Sequence, residues 1–376
     1  MVDNQAFFEG LQRAGIGFFT GVPDSLLKSF CSYVMDHTDA GAHVLAANEG
    51  AAVALAAGHY LATGQPGLVY LQNSGLGNAV NPIVSLADPA VYGIPMMLLV
   101  GWRGEPGVKD EPQHVKQGEV TEAICRAIDM PFRHLPADTG PALESIGEMV
   151  PLARDARRPV AWIVRSGTFA PYDARPRQPV PYGLIREEAI AAIARSLPAQ
   201  AVIVSTTGHI SRELFEFRAR AGLGHHQDFL TVGSMGHCSQ IALGIALARP
   251  DRPVVCLDGD GALLMHMGAM ALTGTSGARN YLHIVLNNGA HVSVGGQKTV
   301  GFDVDFVRMA EACGYRTARR IEPLDDLTDL LASLSFRDGP VFLEIRVSTK
   351  ARKDLGRPTS SPQENMADFM AALNRP

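Results

Sequence analysis

The run Val254-Val-Cys-Leu-Asp258-Gly259-Asp260-Gly261, with Tyr281-Leu-His-Ile-Val-Leu-Asn287-Asn288-Gly289 some twenty residues later, restricts the fold more than any other part of this sequence. Four apolar residues lead into two Asp-Gly pairs. This is the pattern of a buried parallel strand ending in a tight turn, where the backbone must come close to something else. Residues from Ala262 to about Leu272 favour helix, Thr273 to Asn280 is a turn-rich break, and Tyr281 to Leu286 is a second apolar strand ending at Asn287. Together they make one βαβ unit. Its right-handed crossover sets Asp260 and Asn287 side by side at the carboxyl edge of a parallel sheet, where open α/β folds bind ligands.

A carboxylate at Asp260, an amide oxygen at Asn287 and the backbone carbonyl of Gly289 are hard oxygen donors suited to Mg²⁺. The turn Gly259 to Ala262 opens a helix whose N-terminus suits a diphosphate. Gly-Asp-Gly alone equally describes a Rossmann-like turn that binds no nucleotide. With the two strands, the Asn pair and the spacing, the stretch resembles the thiamin diphosphate (ThDP) enzymes, whose motif is Gly-Asp-Gly, some 25 residues, then Asn-Asn. Here residues 262 to 286 fill the interval. The resemblance implies ThDP and Mg²⁺ as cofactors, with Asp260, Asn287 and Gly289 as metal ligands and Gly259, Gly261 and Ala262 against the cofactor.

At 376 residues the chain is long enough for two α/β domains with sizeable cores. Apolar residues make up 46%, charged ones 19%, and the net charge is −5, which gives no basic excess for nucleic acid. The start Met1-Val-Asp-Asn-Gln is unlike a signal peptide and no apolar run reaches membrane-span length, so a cytoplasmic protein without a membrane partner is expected. Cys31, Cys125, Cys238, Cys256 and Cys313 form no Cys-x-x-Cys, and are read as buried apolar filler rather than zinc or iron–sulfur ligands.

In the first half, an amphipathic helix from Phe7 to Ala14 precedes a short strand, Gly17 to Thr20, and the turn Gly21-Val-Pro-Asp24-Ser25. Asp24 and Ser25 sit where a strand-end site would be, and equally where a helix N-cap would be. After Asn48 comes a helix of Ala, Gly, Val and Leu, read as buried on most sides, with Glu49 in its first turn. A carboxylate there is either dipole-stabilised or functional. Gln72-Asn73-Ser-Gly follows the strand Gly67 to Leu71, a polar loop able to donate to a ligand or merely to connect. After the strand Pro95 to Val100 comes the polar stretch Gly101 to Gly118. Its Arg103, Lys109, His114 and Lys116 suit a small multiply charged anion, or else a solvated surface loop. The run Asp110-Glu-Pro-Gln113-His114 resembles phosphonopyruvate and sulfopyruvate decarboxylases rather than the larger pyruvate-type enzymes. That resemblance implies Glu49 as the glutamate that hydrogen-bonds N1′ of the aminopyrimidine, Asp24 over the substrate, and His114 or Asp24 as proton donor. Ser25, Gln72, Asn73, Gln113 and His114 are then expected to contact the substrate.

Helix 139 to 155 and strand Val160 to Val164 close a first domain, 1–166, which the resemblance makes the pyrimidine-binding one. Four prolines within 167–183 read as a stiff exposed linker, leaving 184–376 as the diphosphate- and metal-binding domain. There Thr207-Gly208 follows the strand Ala201 to Ser205, serving a phosphate or capping the next helix. Ser234-Met235-Gly236 matches the family's loop with a bulky apolar residue under the bent cofactor. The basic tail Lys350 to Arg357 reads as solvated or as folded over the site, and the family pattern favours the second, with Lys353 and Arg357 on the substrate. The resemblance covers essentially the whole chain and implies a doubly wound α/β protein of two ThDP-binding domains, without the middle domain of pyruvate-type enzymes. It further implies ThDP- and Mg²⁺-dependent, non-oxidative decarboxylation of 3-phosphonopyruvate, a small anionic 2-oxoacid, in a homo-oligomer with active sites at subunit interfaces. The alternatives are 3-sulfopyruvate or another 2-oxoacid as substrate, a 2-oxoacid oxidoreductase, which the cysteine spacing opposes, and a ThDP-binding protein that is not a catalyst.

Overall fold

The computed structural model describes residues 1–176 and 180–374. The chain divides into two compact units, Met1–Arg177 with Val294–Gln297, and Gln178–Ser293 with Lys298–Pro376. Three residues of the expected linker, 177–179, lie outside the described residues.

The first unit holds six parallel strands: β1 (Phe19–Gly21), β2 (His43–Leu45), β3 (Leu68–Gln72), β4 (Met96–Gly101), β5 (Phe132–His134) and β6 (Pro159–Val164), ordered 2-1-3-4-6-5. The second also holds six: β7 (Val202–Ser205), β8 (Asp228–Leu230), β9 (Val254–Gly259), β10 (Tyr281–Asn287), β11 (Thr317–Ile321) and β12 (Val341–Arg346). Their spatial order is β8-β7-β9-β10-β12-β11. Renumbered within the unit, that is again 2-1-3-4-6-5. The central strands β3, β4 and β6 carry aliphatic residues on both faces because helices cover both, as parallel sheets require. One face of the first sheet packs Phe7, Phe30, Trp162 and Phe169 edge-to-face and stacked. In each unit the first and third strands are neighbours from which the connections run outward in opposite directions. That point is the ligand crevice of doubly wound folds.

Several elements depart from the sequence reading. The first part of the expected linker is not exposed: Phe169 is buried among Phe7 and Phe30, Val2 bridges to it, and Tyr172 donates to Asp36 at 3.2 Å. An aromatic ring just ahead of the prolines has found a core to fill. The stretch Gly101 to Gly118 is not all loop, because Pro112 opens a helix (Pro112–Ala127), its fixed φ suiting the first helical turn. The helix after Asp260 is broken in two, Asp260–Met265 and Ala269–Thr275, with His266 at φ −135° interrupting the ladder. Finally, the helix beginning at Glu49 (Glu49–Thr63) is not buried on most sides. Ala52, Val53, Ala56 and Ala57 face the core, whereas Ala54, Leu55, Gly58 and Leu61 face out, Leu61 with 72% of its surface exposed.

Candidate active site

At the carboxyl edge of the first sheet, the chain leaving β1 turns at Gly21, where an added Cβ would lie 2.0 Å from the Tyr70 carbonyl oxygen, so only glycine fits. The turn delivers Asp24 into the interior with 1% of its surface exposed. One carboxyl oxygen, Oδ2, accepts from the Leu26 amide at 3.0 Å, while Oδ1 is buried without a hydrogen-bond partner. Burial pushes this carboxyl up to about 6, against the pull of the Leu26 amide and the Arg103 charge. Gly101, at the end of β4, lies directly against it, since a Cβ there would be 2.1 Å from Oδ2. Asp24 is therefore no ordinary helix cap: a free, buried acceptor oxygen is costly unless a ligand meets it.

Asn48 is the N-cap of the next helix, its Oδ1 accepting from the Ala51 amide at 2.9 Å. That geometry fixes Glu49 at the first position, 6% exposed. Asn78 donates to Glu49 Oε2 at 2.7 Å, and Gly75 packs so closely that a Cβ would sit 2.3 Å from Oε1. The amide of Asn78 and the missing side chain of Gly75 thus aim this carboxylate. Sequence reading passed over both.

Arg103 is the hub of the polar stretch. Its Nε and Nη2 donate to the two oxygens of Asp110 at 2.8 and 2.5 Å, and its Nη1 donates to Ser25 Oγ at 3.0 Å. Asn73, expected to touch substrate, instead clamps this loop. Its Nδ2 donates to the Arg103 carbonyl and to Thr121 Oγ1 at 2.8 and 2.9 Å, and its Oδ1 accepts from the Arg103 amide at 3.1 Å. With one side-chain oxygen and both N–H groups engaged, its task is to hold the loop. Gln72 donates to Ser74 Oγ at 2.6 Å. Gln113 and His114 lie on the first turn of the helix Pro112–Ala127, and both Gln113 Oε1 and His114 Nδ1 are buried without partners. Burial, joined by the Arg103 charge, holds the His114 imidazole below its usual range.

In the second unit, Asp260 and Asn287 end neighbouring strands as expected, both buried. A Cβ on Gly301 would lie 2.7 Å from Asn287 Oδ1 and 2.8 Å from Asp260 Oδ2, so the two oxygens converge on one small space. Burial pushes the Asp260 carboxyl up to about 6, despite hydrogen bonds from Thr299 and backbone amides. Asn287 Nδ2 donates to the Gly301 carbonyl at 2.6 Å and to Glu344 Oε1 at 2.8 Å, which turns Oδ1 toward Asp260. Glu344 is itself buried on β12 and accepts from Arg320 and Arg346 at 2.7 and 3.1 Å. The Gly289 carbonyl accepts from the Thr299 amide at 2.8 Å, leaving its second lone pair. Met235 reaches this turn, its Cε 3.4 Å from where a Gly261 Cβ would be, and Ser234 before it holds φ +53°. Gly208, at φ +93°, starts the helix His209–Arg220, while Thr207 Oγ1 donates to the Val232 carbonyl at 2.9 Å. The basic tail is docked on the start of that helix. Arg212 donates to the carbonyls of Leu355 and Gly356, and Arg352 is held by Glu187 and Glu216, with Lys353 exposed beside it.

Models of the thiamine pyrophosphate enzyme family match both units: its N-terminal TPP binding domain at residues 3–124 and its C-terminal TPP binding domain at 206–345. A curated phosphonopyruvate decarboxylase of Streptomyces viridochromogenes is 37% identical over 98% of this chain and 94% of its own length. One from Streptomyces hygroscopicus is 36% identical over 100% and 95%. The chain belongs to the phosphonopyruvate decarboxylase family. A sulfopyruvate decarboxylase of Methanosarcina acetivorans is a more distant relative, 27% identical over 83% of each chain. As a member of the phosphonopyruvate decarboxylase family, the chain is a thiamin diphosphate-dependent carboxy-lyase, and its two doubly wound sheets are the two TPP-binding domains. The residues fit that cofactor. Asp260 has no ion-pair partner among the described residues and shares its oxygen-lined space with Asn287, which is a donor set for a divalent cation. No helix among the described residues is long and apolar enough to cross a membrane.

Proposed function

We propose that this chain converts 3-phosphonopyruvate and a proton into phosphonoacetaldehyde and CO₂. The full-length kinship with phosphonopyruvate decarboxylases carries the reading. Mg²⁺ would be held by Asp260, Asn287 and the Gly289 carbonyl, and the diphosphate by the backbone around Thr207, Gly208, Ser234, Gly259, Gly261 and Ala262, with Met235 beside the cofactor. On this reading the first unit, with its boundary in 167–183, binds the aminopyrimidine and the second the diphosphate. When bound, the coenzyme supplies the electron sink that lets the carboxylate leave as CO₂.

The chain's own groups do the rest. Glu49, aimed by Asn78, exchanges a proton with N1′ of the aminopyrimidine. Asp24, whose carboxyl is pushed up to about 6, takes up and passes on a proton more readily near neutral pH than an ordinary aspartate and delivers one to the nascent product, with His114 as the second candidate donor. Ser25, Gln72 and Gln113 present polar groups to the substrate at the same sheet edge, and Lys353 and Arg357 bring positive charge for the phosphonate. Asn73 acts one step back, through Arg103. The uncovered stripe Ala54, Leu55, Gly58 and Leu61 is an apolar helix face of the kind a second copy of the chain covers, which supports a homodimer as the smallest active unit.

The test is aldehyde formation from 3-phosphonopyruvate and 3-sulfopyruvate, each with and without ThDP and Mg²⁺. Preference for phosphonopyruvate, dependent on both additions and abolished in Glu49→Gln, is expected. Preference for sulfopyruvate would overturn the substrate, and full turnover by Glu49→Gln would overturn the role of Glu49. Elution of the active enzyme at the mass of one chain would overturn the dimer.

A further inference from the structure

The basic residues of the polar stretch after β4 and of the tail differ sharply in their surroundings. Lys109, Lys350, Lys353 and Arg357 are exposed, Lys116 is exposed and paired with Glu119 at 3.0 Å, and Arg352 is held by Glu187, Glu216 and Asp354. Arg103 stands apart from these. Its side chain is only 19% exposed, and its charge acts on both Asp24 and His114. A guanidinium carries five N–H groups in a rigid fork. Asp110 takes two of them along the Nε side, and Ser25 Oγ takes one from Nη1. One N–H on each terminal nitrogen is left without an acceptor among the described residues. Asp110 is itself fixed, since its two oxygens also accept from the amides of Gly104 and Glu111, each at 2.8 Å. The fork is therefore oriented before any ligand arrives, and Ser25, which accepts from it, keeps its own O–H to donate.

Two N–H groups on a planar fork and a hydroxyl beside them are a donor set for a multiply charged oxyanion. The chemistry decides which end of the substrate they meet. The carboxylate gives up its charge as CO₂ leaves, so a fixed cation beside it would stabilise the ground state more than the transition state and slow the reaction. The anion at C3 keeps its charge throughout. We propose that Arg103, steered by Asp110 and joined by the Ser25 hydroxyl, recognises the anionic group at C3 of the substrate and so sets the preference for anionic over uncharged 2-oxoacids. Arg103 is then a specificity-determining residue, and Asp110 a positioning residue that acts through it. The assignment rests on the reading, given above, of the substrate as a 2-oxoacid with an anion at C3.

The probes are 3-phosphonopropionate and 3-sulfopropionate, which keep both anionic ends but lack the 2-oxo group and cannot turn over. Their binding to the full-length enzyme loaded with ThDP and Mg²⁺ is measured by calorimetry. Arg103→Met should bind the analogue that the wild type prefers at least about 30-fold more weakly, with its ThDP affinity kept. Arg103→Lys, which has the charge without the fork, should recover part of that loss. Asp110→Asn should raise KM for the substrate by a larger factor than it lowers kcat. A loss under about threefold in Arg103→Met, or an equal loss of ThDP affinity, overturns the assignment. If Arg103→Met does not fold, Arg103→Lys decides, and binding equal to the wild type's overturns the role of the fork. A wild type that prefers the sulfonate, with that binding lost in Arg103→Met, keeps Arg103 in its role and overturns only the phosphonate. Binding of neither analogue by the wild type overturns both readings.

Discussion

Asp24→Asn should make the protein more stable at alkaline pH while removing activity, and the pH dependence of that gain follows from the structure. A free Asp ionises near 3.8, whereas burial moves Asp24 to about 6. The folded chain therefore holds this proton more tightly than the unfolded chain does. Below about pH 4 the carboxyl is protonated in both states and costs nothing. Between 4 and 6 the unfolded chain releases the proton first, so stability falls as pH rises, and above 6 the full cost is in place. Two units of displacement correspond to about 3 kcal/mol. Asparagine carries no charge at any pH, so it escapes this cost. Its N–H₂ facing the space of the unpartnered Oδ1 brings a penalty of its own, but one that does not vary with pH. The difference between the gain at pH 8 and the gain at pH 5 is thus the clean quantity, about 1.5 kcal/mol. For a unit of this size that is roughly 3 to 6 °C of melting temperature. Thermal melts of both proteins at the two pH values measure it. A gain that is the same at pH 5 and pH 8 would refute the claim that Asp24 is forced to ionise in a dry site.

Three further substitutions test the architecture of the site. Gly301→Ala places a methyl between Asp260 and Asn287, and titration of activity with Mg²⁺ should show the metal bound at least about tenfold more weakly in a folded protein; unchanged magnesium dependence would mean the cation sits elsewhere. Glu344→Gln removes the charge that orients the Asn287 amide, so magnesium affinity, read by calorimetry, should fall about 10- to 100-fold, with a loss of stability from Arg320 and Arg346 each losing a buried charged partner. Asn78→Ala strips Glu49 of a hydrogen bond to a charged oxygen, worth about 1.5–3 kcal/mol, so kcat at saturating ThDP should drop at least about tenfold; full kcat would show that Glu49 needs no such support.

The strand–turn–helix–strand from Val254 to Asn287 was readable because a buried parallel strand leaves an unbroken apolar run, and Asp-Gly pairs can follow it only where backbone meets a ligand. Helix Thr139–Asp155 was equally plain from its periodicity. The start of helix Pro112–Ala127 was obscured by the glycines and prolines from Gly101 to Pro112, although a proline at a first helical position is itself a helix-start signal. Of the supporting residues, Glu344 had a visible signature, since a lone carboxylate inside Val341-Phe-Leu-Glu-Ile cannot be buried without partners. Asn78, Gly75 and Gly301 had none. Each matters through an atom tens of residues away, and only the folded chain sets that distance.

The repeated strand order bears on how the chain is made. Every strand of the first sheet lies between Phe19 and Val164, and every strand of the second between Val202 and Arg346, so neither sheet waits for a strand from the other half. A ribosome adding about 5–20 residues per second needs about 10–40 s to synthesise the part of the chain beyond residue 177. The 37 residues between Val164 and Val202 give the first sheet a lead of about 2–7 s in which to close all its edges but two before the first strand of the second is added. Synthesis order thereby separates two sets of aliphatic strands whose identical topology would otherwise invite pairing with the wrong partner.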